Sequence, residues 1–121
     1  MEHASLVAFL GGKISPEQFG REIAEEVSAC NQSRRSQGGG RIIITDGPQT
    51  VVTREHAKRL LDAVVGGQLT IESANYTASC IIFGDFEFAD EAVNAAVWLI
   101  EMADLDKPTL EDLQTAAARL I

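Results

Sequence analysis

A chain of 121 residues with 45% hydrophobic and 23% charged side chains is ordinary for one globular domain and too short for two independent cores. Its formal charge of −8 repels nucleic acid and disfavours direct DNA or RNA binding. No apolar run approaches the roughly eighteen residues of a membrane span, and with only 6% aromatics the core must be mostly aliphatic.

The charge is unevenly spread. Residues 1–65 carry eight acidic and eight basic side chains, whereas residues 66–121 carry ten acids against Lys107 and Arg119 alone. The second half therefore holds the whole net charge. Such a field attracts a basic partner and speeds association at low salt, although a solvated acidic surface also serves solubility alone.

The first apolar patch, residues 6–10, has no lysine or arginine ahead of it and no clear small-residue cleavage site behind it. It reads as a helix, not a signal peptide, in a cytoplasmic protein. LGGKISPEQF (10–19) and VGGQLTIESA (65–74) then share one grammar. A glycine pair ends one helix in the left-handed conformation, and Ser15 or Thr70 caps the next. Pro16 suits the first helical position, Gln18 completes a capping box with Ser15, and Ile14 and Leu69 serve as staples. The second helix is expected over 16–31, with Phe19, Ile23, Val27 and Cys30 on its buried stripe. QSRRSQGGG (32–40) reads as a flexible loop. Its glycines precede Arg41 and three isoleucines instead of following a strand, which argues against a phosphate-binding loop.

RIIITDGPQTVVT (41–53) has two β-branched runs around Asp46-Gly47-Pro48-Gln49, the pattern of a two-stranded hairpin or at least of two extended segments. Thr53 caps a third helix with Ala57, Leu60, Leu61 and Val64 inward and the pairs Glu55–Arg59 and Lys58–Asp62 outside. His56, in its first turn, reads as structural or merely exposed. IESANYTASCIIF (71–83) is ambiguous over 77–83, which is apolar on every side; a buried helix ended by Gly84 is preferred to a strand. A further helix starts near Ala89, with Val93, Ala96, Val97 and Ile100 inward. A last helix starts at Thr109, boxed with Asp112, and buries Leu110, Leu113, Ala117 and Leu120. The expected fold class is α+β and mainly helical, with about five helices packed on one core, a short hairpin near 41–53, and a single domain over 1–121.

Cys30 and Cys80 read as two buried thiols, and neither has a second cysteine or histidine at metal-ligand spacing. GDFEFADEAV (84–93) gathers Asp85, Glu87, Asp90 and Glu91. It lacks the central glycine and the spacing of a calcium loop. Part of it is helix punctuation, since acids in a first turn gain about 0.3–1 kcal/mol from the helix dipole. No G-x-S-x-G, H-E-x-x-H or convincing Cys–His partnership is present, so neither an enzyme nor a metal or other cofactor is expected. Interaction remains. Phe86 and Phe88 alternate with Asp85 and Glu87, which in an extended segment turns rings inward and carboxylates outward. Trp98 shares a flank with Glu91 and Asn94, either as a core residue or as an aromatic hot spot beside acids. Asp85, Glu87, Asp90, Glu91, Asn94, Trp98 and Glu101 are the candidate partner-binding residues.

LLDAVVGGQLTIESANYTASCII, then DFEFADEAVNAAVWLIEMAD and the Pro-Thr-Leu-capped last helix, with a weaker echo at KISPEQF, resemble the small acidic bacterial immunity proteins of polymorphic-toxin and contact-dependent growth inhibition systems. The likeness spans about residues 54–121. It implies a non-enzymatic cytoplasmic inhibitor that covers a basic toxin domain, often a nuclease, with Asp85, Glu87, Asp90, Glu91 and Glu101 as the acidic surface. The alternative is a homodimer or assembly domain that makes its contacts through apolar helix faces. Salt dependence separates the two.

Overall fold

Side-chain caps set most of the helix starts. The computed structural model describes residues 1–38 and 41–121. Within them six α-helices run in the order α1 (His3–Leu10), α2 (Pro16–Gln37), α3 (Arg54–Val65), α4 (Ile71–Phe83), α5 (Glu91–Glu101) and α6 (Leu110–Ala118). Strand β1 (Thr50–Val52) precedes α3, and β2 (Phe86–Phe88) precedes α5. Ser15, Thr53, Thr70 and Thr109 each accept the backbone N–H three residues on, at the starts of α2, α3, α4 and α6, a bond worth about 1 kcal/mol per cap. In the two glycine pairs Gly12 and Gly67 adopt φ of 77° and 74°, the left-handed conformation that releases one helix into the turn before the next.

One core joins all six helices. Leu6 and Phe9 of α1, Phe19 of α2, Leu61 of α3, Ile81 of α4, Val97 and Ile100 of α5 and Leu113 of α6 are buried in it. Phe9 and Phe19 stack with ring centroids 4.3 Å apart. α4 is the central element, buried without a break from Ser73 to Ile81. Its polar residues are satisfied from within. The Thr77 and Ser79 hydroxyls donate to the Ser73 and Asn75 carbonyls at 2.7 and 3.2 Å, and Asn75 Nδ2 donates to the Ile100 and Glu101 carbonyls at 3.0 and 2.8 Å. Bonded in this way, buried polar groups escape the desolvation penalty of unpaired ones.

The fold is α+β and mainly helical, with six helices where about five were expected, and it departs from expectation elsewhere too. The hairpin over 41–53 does not form. Thr50, Val51 and Val52 pair in parallel with Phe86, Glu87 and Phe88, and α3 and α4 form the crossover between the strands. A two-residue hairpin turn needs a left-handed glycine, yet the left-handed glycines among the described residues are Gly12, Gly38 and Gly67. Gly47 serves close approach instead. A Cβ there would collide with the His3 ring, which stacks on Phe86 at 4.8 Å.

α2 continues past residue 31 to Gln37 and ends at Gly38, with φ of 77°. Residues 32–37 of the expected loop are therefore helical, and Gly39 and Gly40 lie outside the described residues. Arg34 and Arg35 fall in the last turn of α2, where cations complement the helix dipole. Leu110 is exposed, so α6 buries Leu113 and Ala117, and Leu120 is buried just past its end. In α3 Ala63 is buried and Val64 only half-buried. The Lys58–Asp62 pair forms at 2.7 Å, but Arg59 bonds the Leu10 carbonyl instead of Glu55. A carbonyl left without an intrahelical partner at the end of α1 outcompetes an exposed carboxylate for that guanidinium.

Candidate functional site

The acidic segment is held by the β1–β2 pairing below it and the cap of α5 above it. Flanking the ladder, the Asp85 carbonyl accepts the Thr50 N–H and the Val52 carbonyl accepts the Ala89 N–H, both at 3.0 Å. This extended run turns Phe86 and Phe88 against the core and leaves Glu87 exposed, the alternation that strand geometry requires.

The seven candidate residues then separate by what their side chains touch. Asp85 is half-buried, and its Oδ2 accepts the Gly47 N–H at 3.1 Å. Asp90 is the N-cap of α5: Oδ1 accepts the Val93 N–H at 3.1 Å and Oδ2 accepts Arg54 Nε at 2.7 Å. The Arg54 guanidinium, and after it the Val93 N–H, holds that carboxyl below the usual carboxylate range. Glu101 Oε2 lies within hydrogen-bond reach of the Ser79 hydroxyl, whose one proton it shares with the Asn75 carbonyl. These three acids bind their own fold. Each takes a donor from another element, whereas the Glu87 and Glu91 side chains are exposed.

Glu91 is exposed in the first turn of α5, and Asn94 Nδ2 donates to its Oε1 at 3.5 Å. Trp98 is 43% exposed, so it is not a core residue. Glu91, Asn94, Trp98 and Met102 recur at the spacing of one helix face. Met102 and Leu105, 44% and 78% exposed, follow in the 3₁₀ turn Met102–Asp104 and at its end. Neither was singled out from the sequence. The result is an aromatic and apolar strip with Glu87 and Glu91 as its outward acids.

Chemistry of other kinds finds little to work with. Cys30 and Cys80 are free and buried, and burial pushes the Cys80 thiol up to about 12, which keeps it protonated at neutral pH and poorly nucleophilic. Burial likewise raises the Tyr76 phenol. His56 closes the capping box of α3, its Nδ1 accepting the Thr53 N–H at 3.2 Å, and burial holds its imidazole below the ordinary value. Among the described residues no group of three or more His, Cys, Asp or Glu is placed to hold a metal ion. Among the described residues no helix is long and apolar enough to cross a membrane.

Fold and site together define a class: a small, mainly helical α+β domain that presents a partly exposed tryptophan on the same helix as the exposed Glu91. No protein-family model, curated protein or solved structure matches the chain.

Proposed function

We propose that this chain is a non-enzymatic protein-binding inhibitor of the immunity type, acting in the cytoplasm, which neutralises a basic toxin domain such as a nuclease through Glu87, Glu91, Asn94 and Trp98. One observation carries the reading. The only tryptophan of the chain stands 43% exposed on the outer face of α5, in the half that holds all the net charge. Tryptophan is over-represented among the residues that dominate binding energy, and an apolar centre ringed by polar groups is the usual anatomy of an interface. The carboxylates meet the lysines and arginines that a nuclease turns toward phosphate, so the inhibitor competes with substrate for the same charge. Asp85, Asp90 and Glu101 support this face from behind by fixing β2 and both ends of α5.

The reading is tested by measuring the affinity for a basic toxin domain encoded beside this gene, for the native chain and for a Glu87→Gln, Glu91→Gln variant at two salt concentrations. Weakening by both changes is expected; an affinity indifferent to both counts against it. The exposed Trp98, Met102 and Leu105 also favour a second reading, self-association through an apolar strip. Sedimentation that shows a dimer stable at high salt and lost in Trp98→Ala would select it.

A further inference from the structure

A groove of ≈ 510 Å³ lies between α5 and α6, within the size range of concave binding sites, roughly 300–1,000 Å³. It exists because α6 packs chiefly on α3 and touches α5 less extensively. Its apolar floor includes Ala92, Ala95, Leu99 and Ala116. Ala95 is exposed, and Ala92, Ala95 and Ala96 make up most of the α5 wall beside Leu99. The same groove is edged by Glu91, Glu111 and Asp112 against Arg119, all four exposed.

We infer that this groove is the seat of a basic amphipathic helix of the partner protein, a statement that rests on the reading of α5 as a recognition surface and names the element it receives. Two helices form the walls, and helices pack at about 8–10 Å between axes, nearer the lower figure where contact residues are small. Alanines along the floor admit that approach. A third helix laid along α5 from Glu91 to Leu99 would run for roughly 12 Å at 1.5 Å per residue. That is enough for apolar anchors at i, i+3 or i+4, and i+7 to enter together. The edge selects the flanks of the visitor. Glu91 and Glu111, with Asp112 whose Oδ2 accepts the Thr109 N–H at 2.9 Å, stand against one guanidinium, so lysine or arginine beside the apolar stripe is complemented and acidic flanks are repelled. A second copy of this chain is the poorer occupant, because its own α5 would bring Glu91 and Glu87 against the same carboxylates.

The test is a heteronuclear NMR titration of isotope-labelled protein with a synthetic leucine–lysine peptide patterned as an amphipathic helix, and with its leucine–glutamate counterpart. The expected result is saturable shifts at Ala92, Ala95, Leu99, Thr115 and Ala116 for the basic peptide only. Ala95→Trp, which fills the groove from an exposed position, is expected to weaken binding by about tenfold or more with an unchanged circular dichroism spectrum. Shifts centred on Glu87 and Trp98 with the groove silent overturn the groove assignment and leave the broader reading standing. Absence of saturable shifts anywhere, or equal response to both peptides, overturns it as well.

Discussion

α4 and α5 pack against each other and are both rich in apolar residues, yet they dispose of their polar side chains in opposite ways. α4 is buried along most of its length, and Asn75, Thr77 and Ser79 are each tied by a hydrogen bond inside the fold. α5 buries Val93, Ala96, Val97 and Ile100 and turns Glu91, Asn94 and Trp98 away from them. The contrast separates architecture from the recognition proposed for α5. A satisfied polar group in a core explains itself through its partner, whereas Trp98 keeps 43% of its surface in water on a helix that already has an ample apolar face, which leaves that part of the indole available to a partner.

Substitutions sharpen that contrast in descending order of effect. Ile81→Ala in α4 leaves a cavity at a site 1% exposed and is expected to destabilise the fold by about 2–5 kcal/mol, read as a shift in the urea midpoint. Asn75→Ala strips two carbonyls of α5 of their donor and should cost about 1–3 kcal/mol by the same measurement. Trp98→Ala, at a residue 43% exposed, should cost about 1–2 kcal/mol for the part of the indole the fold covers, less than Ile81→Ala, while removing partner binding. A loss of stability as large as that of Ile81→Ala would place Trp98 with the architecture.

Two smaller effects are read through pH. Asp90 has its carboxyl lowered in the folded state, so its contribution is complete above the ordinary carboxylate value of about 3.9. That contribution fades as pH falls through the lower folded value. Asp90→Asn keeps a good N-cap but loses the Arg54 ion pair, and is expected to flatten the acid limb of the stability curve. His56 follows the same sign in a higher window. Its folded imidazole is lowered from 6.5, so stability is fully present above about 6.5 and declines as pH falls toward the folded value. His56→Glu, which retains a capping-box residue at that position, should remove this decline.

Much of the fold was legible because its signals are local. Ser15, Thr53, Thr70 and Thr109 act within three residues, and the stripe of Phe19, Ile23, Val27 and Cys30 within four turns. What failed was non-local or carried no apolar signal. β1 pairs with a strand beyond two intervening helices, which no turn motif announces. The last turns of α2, rich in serine and arginine, bury too little to show the period of a helix. The candidate site was half legible for a related reason. Sequence placed seven residues near one another, but whether a carboxylate faces water or its own fold depends on Gly47, Arg54 and Ser79, each brought in from another element.

Because Trp98 is the sole tryptophan, the central claim has a direct optical reading. Intrinsic fluorescence is followed while a basic toxin domain encoded next to the gene is added, at low and then high salt. The account predicts a saturable shift of emission to shorter wavelength as the indole leaves water, with the affinity falling as salt rises. A complex that forms with the emission unchanged, or with the same affinity at both salt concentrations, would contradict it.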